Sequence, residues 1–306
     1  MNTQNSNRRC GFVAVIGAPN AGKSTLINRM VGSKVTIVSP KVQTTRALVR
    51  GIAQHENSQI IFIDTPGIFQ PKKRLEKAIV SAAWEGQADA DVIMLVVDAS
   101  RGPIDRETLS IIKKLEKQDN KDKPVLLVLN KIDKIEPQKL LSLSQALNER
   151  LSFTATYMIS ALKGDGTKNL LNAFAAYLPE GPWMYPEDQA SDMPMILLAA
   201  EITREKLFHR LQQELPYALT VETEDWENFE DGSIKISQVI YVARPGHKAI
   251  ILGKGGSMIK AVGEAARIEL ENMLGVRVHL KLFVKLREKW TDDPERYSLW
   301  GLDYNA

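Results

Sequence analysis

Near its start the chain reads Gly17-Ala18-Pro19-Asn20-Ala21-Gly22-Lys23-Ser24, which fits the pattern G-x-x-x-x-G-K-[ST] without a gap. The apolar run before it, 12–16, is typical of a buried strand, and residues 25–30 continue as a helix. A glycine loop between a strand and a helix points successive backbone N–H groups and a helix N-terminus at a phosphate. A chance glycine turn is the alternative, but it explains neither neighbour.

The residues of this loop have separate tasks in holding a nucleotide. Lys23 can reach the β- and γ-phosphates, and the Ser24 hydroxyl can ligate Mg²⁺. The loop backbone supplies the other contacts. The predicted nucleotide-binding residues here are Gly17, Ala18, Pro19, Asn20, Ala21, Gly22, Lys23, Ser24 and Thr25.

The composition limits the class of protein. The chain has 306 residues, which suits two domains, and its 44% hydrophobic and 25% charged residues are typical of a soluble protein. No apolar run is as long as a transmembrane helix, and the polar residues 1–9 lack the apolar core of a signal peptide. The single cysteine, Cys10, excludes an internal disulfide and a cysteine-based zinc site, so we expect a cytoplasmic protein.

Strand-like and helix-like stretches alternate through the first part of the chain. Apolar, β-prone runs occur at 13–16, 59–63, 92–97, 125–129 and 157–159, and helical patterns at 106–116, 139–150 and 167–178. This alternation predicts an α/β fold with a mostly parallel sheet and helices on both faces. Prolines and a glycine then interrupt the pattern. We therefore predict a tail at 1–10, a first domain at 11–180, a linker at 181–194 and a second domain at 195–306.

The second domain has a different pattern. Helices are predicted at 201–215, 248–252 and 257–274, and strands at 219–221, 234–242 and 276–284, with an Asp231-Gly232 turn between the first two strands. These elements predict a small α+β domain.

An acidic motif follows the strand predicted at 59–63. It reads Asp64-Thr65-Pro66-Gly67. A carboxylate at the strand tip opposite the glycine loop can hold Mg²⁺ through water, and the Gly67 N–H can reach a γ-phosphate because no side chain intervenes. A threonine hydroxyl at Thr44 or Thr45, in the polar loop before this strand, can complete the Mg²⁺ shell. The residues predicted to carry the reaction are Lys23, Thr44, Thr45, Asp64 and Gly67.

A second motif follows the strand predicted at 125–129. It reads Asn130-Lys131-Ile132-Asp133. The Asp133 carboxylate can accept hydrogen bonds from the N1–H and the 2-amino group of guanine, whereas adenine offers neither donor there. The Lys131 stem can lie along the base, and a backbone N–H of Ser160-Ala161 can reach guanine O6. Alone, each motif is also compatible with a turn or a solvated loop. Together, in this order at strand ends, they indicate a guanine-nucleotide site.

This set resembles the G domain of the translation-factor-like GTPases over about residues 11–180. Ras-like proteins carry a water-orienting glutamine just after the D-x-x-G motif, where this chain has Ile68. The substitution resembles the hydrophobic-substituted GTPases, so slow intrinsic hydrolysis is expected. Asn20 resembles the asparagine that ligates K⁺ in potassium-activated members, where K⁺ supplies charge near the phosphates. A turn-stabilising asparagine is the alternative.

A glycine loop also occurs in the second domain. Gly253-Lys254-Gly255-Gly256 is a G-x-x-G loop between two predicted helices, and such a loop lets a nucleic-acid backbone approach the main chain. With its flanking strands it resembles a type II KH domain. Residues 235–289 have a net charge of +7, from eleven basic and four acidic side chains. A basic groove for single-stranded RNA and a merely solvated basic face both fit this charge. The predicted RNA contacts are Lys248, Gly253, Lys254, Gly255, Gly256 and Lys260.

A P-loop GTPase domain followed by a KH domain resembles the Era family of bacterial small-subunit assembly GTPases. The resemblance covers nearly the whole chain and is strongest from Arg244 to Gly256. It implies a monomeric GTP hydrolase that uses Mg²⁺, binds the 3′ end of 16S rRNA, and helps the 30S subunit mature. Whether K⁺ at Asn20 is a second cofactor stays open at this point. It also implies a cytoplasmic location. Some members associate peripherally with the inner membrane, although nothing in this sequence shows a membrane anchor. The alternatives are a ribosome-binding module that holds nucleotide with negligible turnover, and an RNA-modification GTPase, for which Cys10 is poorly placed.

Overall fold

A computed structural model describes residues 8–41, 44–46, 48–71, 73–118, 123–212 and 215–306. The chain divides into two compact units. The first comprises 1–36, 45–192 and 297–306, and the second comprises 37–44 and 193–296.

The first unit is built on a six-stranded sheet. Its strands are β1 (Arg9–Ile16), β2 (Val49–His55), β3 (Ser58–Asp64), β4 (Val92–Asp98), β5 (Val125–Asn130) and β6 (Ala155–Ile159). Their order is β2-β3-β1-β4-β5-β6, and every neighbouring pair is parallel except β2 with β3. The predicted α/β fold with a mostly parallel sheet is confirmed. Because β1, β3, β4, β5 and β6 run the same way, the predicted motifs that directly follow β1, β3, β5 and β6 lie at one edge of the sheet.

Helices cover both faces of this sheet. They are α1 (Lys23–Val31), α2 (Arg74–Ala88), α3 (Arg106–Lys117), α4 (Pro137–Asn148) and α5 (Thr167–Tyr177). One buried apolar cluster joins the sheet to α1 and α5, and a second joins it to α2, α3 and α4. The sequence pattern did not reveal β2, whose Gly51 and polar ends weaken its signal. A Cβ at Gly51 would lie 2.8 Å from Ile27 Cγ2, so the glycine lets α1 pack against this strand.

The second unit is a three-stranded sheet with helices against it. Its elements are α6 (Met195–Arg210), β7 (Leu219–Asn228), β8 (Ile234–Val242), α7 (Pro245–Leu252), α8 (Ser257–Leu274) and β9 (Val278–Leu286). The pair β7–β8 is antiparallel and β8–β9 is parallel. The predicted α+β domain is confirmed, although α6 begins at Met195 rather than at Glu201 and ends before the proline that was expected to end it. β7 extends to Asn228 because cross-strand ion pairs such as Lys235–Glu227, at 2.9 Å, stabilise its polar end.

The unit boundaries differ in places from the predicted domains. β1 begins at Arg9, inside the predicted tail, of which residues 1–7 lie outside the described part of the chain. Residues 297–306 group with the first unit, where the Arg74 guanidinium donates to the Tyr304 hydroxyl at 2.5 Å. The boundary falls inside α9 (Pro294–Leu299). Among the residues that the structure describes, no helix is both long and apolar enough to span a membrane.

Candidate functional site

The glycine loop joins β1 to α1 in a conformation that requires glycine. Gly22 has a φ of 98°, and a Cβ there would lie 2.2 Å from Asn130 Nδ2. This close approach allows Asn130 Nδ2 to donate a hydrogen bond to the Ala21 carbonyl at 2.9 Å. The loop that should hold phosphate is thus tied to the loop that should read the base.

Lys23 is buried at the first turn of α1. Its ammonium group donates to the carbonyls of Gly17, at 3.1 Å, and Ala18, at 3.3 Å. Burial lowers the pKa of Lys23 to about 8, although nearby Asp64 favours the charged form. A cation that is already desolvated and folded back over the loop gains strongly from a phosphate placed beside it.

Asp64 is a fully buried carboxylate at the end of β3. Its Oδ2 accepts hydrogen bonds from the hydroxyls of Ser24, at 2.9 Å, Thr36, at 2.8 Å, and Thr45, at 3.3 Å. Its Oδ1 is buried and has no hydrogen-bond partner among the described residues. Burial raises the pKa of Asp64 despite the opposing effects of Lys23 and the three hydroxyls. An unpaired buried carboxylate oxygen is costly unless a cation or a ligand completes it.

These groups fit Mg²⁺. Hydroxyl and carboxylate oxygens are the ligands that this ion prefers, and in nucleotide sites it takes the rest from phosphate and water. In the described residues no group of three or more histidine, cysteine, aspartate or glutamate side chains is arranged to hold a metal. A Mg²⁺ ion would therefore be held by Ser24, by Asp64 and by a threonine hydroxyl.

The structure separates the two threonines that the sequence left open. Thr45 lies in the cluster, with its hydroxyl 3.2 Å from Ser24 Oγ. Thr44 belongs to the second unit, and its hydroxyl donates to the Lys41 carbonyl at 2.8 Å. The Thr44 hydroxyl therefore has an acceptor within its own segment. Thr36 does reach Asp64 but was not predicted, because no motif surrounds it.

The segment after Asp64 follows the glycine loop closely. A Cβ at Gly67 would lie 2.9 Å from Pro19 Cα, so only glycine lets the two loops approach. The Thr65 hydroxyl donates to the Val15 carbonyl at 2.6 Å, which fixes the turn before Pro66. The Ile68 N–H donates to the Gly17 carbonyl at 3.2 Å, while the Ile68 side chain packs in the apolar cluster with α3 and α4. That buried side chain cannot orient a water molecule.

The base-reading loop follows β5. Asn130 Oδ1 accepts from the N–H groups of Lys131, at 2.8 Å, and Ala161, at 3.0 Å. The Ser160 hydroxyl donates to Asp133 at 2.7 Å, and this hydrogen bond is the main cause that lowers the pKa of that carboxyl. Asp133 is therefore an ionised and oriented acceptor.

The loop after β6 differs from the prediction in one respect. The Ala161 N–H donates to Asn130, and the Ser160 N–H donates to the Asp165 carbonyl at 3.0 Å. Both N–H groups that were expected to face guanine O6 thus have acceptors within the protein. The contribution of this loop that the structure shows is the Ser160 hydroxyl, which orients Asp133.

The second unit presents the G-x-x-G loop between α7 and α8. Gly253, Gly255 and Gly256 have φ values of 71°, 60° and 78°, which favour glycine. Lys248, Lys254 and Lys260 are exposed, and none of them forms an ion pair in the described part of the chain. Some other cations of the basic stretch are paired, as in Lys235–Asp225, Arg267–Glu271 and Lys285–Glu224. The three lysines therefore place unpaired positive charge at and beside the glycine loop.

A groove runs between α8 and β9 beside this loop. It has a volume of about 520 Å³ and is lined by Ile259, Lys260, Gly263, Glu264, Arg267, Leu280 and Leu282. Of these the sequence predicted only Lys260. The others could not be found from a motif, because the groove forms only when β9 pairs with β8. Its apolar walls and basic rim suit an unstacked base and its phosphate.

Family models match both units. Residues 12–131 match the family described as 50S ribosome-binding GTPase, and residues 214–291 match the KH domain. A GTPase Era from Sinorhizobium medicae is 59% identical over 97% of this chain and 94% of its own length. One from Mesorhizobium japonicum is 56% identical over 96% of this chain and 94% of its own length. The chain belongs to the Era family of GTPases.

Two solved Era structures resemble the whole chain. The Aquifex aeolicus Era variant bound to GDP·AlF₄⁻ has a TM-score of 0.88 at 39% identity, covering 96% of this chain and 99% of that one. Era in complex with MgGDPNP and nucleotides 1506–1542 of 16S ribosomal RNA has a TM-score of 0.90 at 40% identity, with the same coverage. As an Era protein with a P-loop GTPase domain, this chain is a GTP hydrolase.

Proposed function

We propose that this protein is a GTP-controlled switch that binds the 3′ end of 16S rRNA and acts in the maturation of the 30S ribosomal subunit. The observation that supports this most strongly is the combination, in one chain, of an oriented guanine site and an unpaired basic surface around a G-x-x-G loop. The relative that was solved with both MgGDPNP and 16S rRNA nucleotides contains the same two modules.

The choice of guanine rests on Asp133. Its carboxylate is fixed by the Ser160 hydroxyl and accepts only, so it suits the two donors on the guanine edge. Adenine would leave this carboxylate facing an acceptor, which costs binding energy.

The proposed switch acts through the segment between the two threonines that reach Asp64. Thr36 and Thr45 flank residues 37–44, and within the second unit α6 holds that segment. The Val38 N–H donates to Glu205 at 2.7 Å, Arg204 donates to the Thr44 carbonyl, and Lys41 donates to the carbonyls of Phe208 and Leu211. A γ-phosphate that draws Thr36 or Thr45 toward Mg²⁺ therefore acts on a segment bonded to α6.

The proposed RNA contacts are Lys248, Lys254 and Lys260 for phosphates, and the groove between α8 and β9 for bases. Unpaired exposed lysines supply the salt-sensitive part of the affinity, and the apolar groove supplies contacts to unstacked bases.

Because Ile68 is buried and apolar, hydrolysis needs another group to stabilise the charge that develops on the phosphates. We propose that Asn20 ligates K⁺ beside the β- and γ-phosphates, where K⁺ would provide the positive charge of an arginine finger. The measurement is single-turnover GTP hydrolysis in K⁺ and in Na⁺ at equal ionic strength. Asn20→Gly, which removes the ligand oxygen and tolerates the φ of 65° at this position, is the variant that should lose the difference. Equal rates in the two salts would rule out the K⁺ site.

Neither alternative gains support from the site. An RNA-modification enzyme would need a reactive cysteine, but Cys10 is 3% exposed, its thiol faces Gln59 Oε1, and burial raises its pKa. A module without turnover does not fit a family of GTP hydrolases.

We also propose, from the family alone, a cytoplasmic location, peripheral membrane association and a monomeric state.

The experiment is single-turnover GTP hydrolysis with and without a 16S 3′-end oligonucleotide, together with RNA binding. Gly255→Asp adds a negative charge to the loop. A Cβ there has no heavy atom within 4 Å, and aspartate is among the few residues that adopt the left-handed φ of 60°, at some cost. We expect loss of RNA binding with unchanged GTP binding. Full RNA affinity in this variant would contradict the assignment of the loop.

A further inference from the structure

A carboxylate outside all the predicted motifs lies beside the nucleotide site. Asp98 is the last residue of β4, pairs in register with Asn130 of β5, and is 7% exposed. We propose that Asp98 is a positioning residue for guanine-nucleotide binding, acting through Lys131 and Arg101 on the backbone of the glycine loop.

The two oxygens of Asp98 have different partners. Oδ1 accepts from the backbone N–H of Ser100, at 3.1 Å, and from its hydroxyl, at 2.6 Å. Oδ2 accepts from Lys131 Nζ, at 2.6 Å, and lies 3.2 Å from Arg101 Nε. One oxygen therefore stabilises the local turn, and the other holds two cations.

Each of these cations also reaches the glycine loop. Lys131 Nζ donates to the Asn20 carbonyl at 2.8 Å, and Arg101 Nη2 donates to the Pro19 carbonyl at 3.1 Å. Asn20 has a φ of 65°, a left-handed conformation that an asparagine adopts only at some cost. The Asp98 carboxylate thus holds two side-chain donors, Lys131 and Arg101, against the consecutive carbonyls of Asn20 and Pro19. This is where the glycine loop has its left-handed, non-glycine residue.

The charge of Asp98 is maintained inside the protein. Burial by itself would raise its pKa, but hydrogen bonds from Lys131 and Ser100 hold the pKa of Asp98 below its ordinary value. The carboxylate is therefore ionised at neutral pH. Charge-assisted hydrogen bonds of this kind are about twice as strong as neutral ones, and removing one partner leaves the others poorly held.

The contacts of Asp98 fix parts of both the predicted base-binding loop and the predicted phosphate-binding loop. Lys131 belongs to the base-reading loop, and fixing its ammonium group restricts the rotamers of its aliphatic stem before nucleotide arrives. The same contacts fix the glycine-loop carbonyls of Pro19 and Asn20. Loss of the negative charge should therefore loosen nucleotide binding and leave the chemistry at the γ-phosphate largely unchanged.

The test uses Asp98→Asn, which keeps the shape of the side chain and the acceptor for Ser100 but removes the charge. We expect release of fluorescent GDP, measured by stopped flow on the full-length protein, to become about tenfold faster. KM for GTP should rise by a similar factor, while kcat at saturating GTP stays within about twofold of the wild type. Ser100→Ala, which affects only the Oδ1 side, is the matched control and should release GDP at the wild-type rate.

A double-mutant cycle tests whether Asp98 acts through Lys131. In a Lys131→Ala background the effect of Asp98→Asn should shrink to about threefold or less, because one of its two cations is already gone. Arg101→Ala keeps the proposal testable if Asp98→Asn does not fold. The Arg101 side chain is 39% exposed, and its removal should speed GDP release about threefold. Wild-type release rates in folded Asp98→Asn or in Arg101→Ala would overturn the proposal, as would a tenfold effect that persists in the Lys131→Ala background.

Discussion

The candidate nucleotide site and the glycine loop of the KH unit present their cations in opposite ways. In the first unit Lys23 and Asp64 are buried, and each is hydrogen-bonded to a neighbouring group of the protein. Lys23 donates to the Gly17 carbonyl, and Asp64 accepts from the Ser24 hydroxyl. In the second unit Lys248, Lys254 and Lys260 are exposed and lack ion pairs among the residues described. The first arrangement selects one ligand by geometry. The second offers charge to a backbone that can be long and variable.

The largest effect is expected at the most deeply buried cation. Lys23→Ala should weaken GTP binding by at least about a hundredfold, because two or more charge-assisted bonds to phosphate disappear. Equilibrium titration with fluorescent GDP measures this, and RNA binding without nucleotide should be unchanged. A loss of less than about tenfold would mean that the loop backbone, rather than Lys23, supplies most of the phosphate affinity.

The next effect concerns the base. Asp133→Asn should reduce GTP affinity by about a hundredfold and improve binding of xanthosine triphosphate, because an amide can donate where xanthine accepts. Competition of both nucleotides against labelled GDP gives the ratio. Ser160→Ala is the milder companion, since it leaves the carboxylate but removes its orienting hydroxyl. Full GTP affinity in Asp133→Asn would show that base recognition lies elsewhere.

How much of this the sequence predicts depends on how local each signal is. The glycine loop, Asp64–Gly67 and 130–133 are runs of consecutive residues, so their chemistry can be read directly. Thr36 and Asp98 are single residues that reach the site only because parallel strands end at one edge. Thr44 and Thr45 are adjacent in sequence, and only the fold directs one toward Asp64. The groove residues Leu280 and Leu282 likewise depend on the pairing of β9.

A smaller effect follows from the lowered pKa of Lys23. In the free protein this pKa is about 8, and phosphate should raise it, so binding takes up a proton above that pH. GTP affinity should fall about tenfold between about pH 7 and pH 9, since the free lysine loses its charge over this interval. Calorimetry in two buffers of different ionisation enthalpy detects the proton directly. Guanosine, which lacks phosphate, is the control and should show no such uptake by Lys23.

The smallest effect is expected on the exposed surface. Lys254→Ala should weaken RNA binding only a few-fold and reduce the slope of log affinity against log salt by about one unit. Lys285→Ala is the matched control, because Glu224 already neutralises that lysine at 3.0 Å and the slope should hardly change. Equal effects of the two variants would mean that total charge, rather than the unpaired lysines near the glycine loop, governs RNA affinity.

The link between the two sites is tested most directly by RNA affinity in two nucleotide states. A labelled 16S 3′-end oligonucleotide would be titrated, by fluorescence anisotropy, with the protein saturated with GDPNP and with GDP. Coupling through 37–44 predicts binding that is about tenfold tighter in the GDPNP state, and an equal effect of RNA on the preference for GDPNP over GDP. Equal RNA affinity in the two states would contradict the switch.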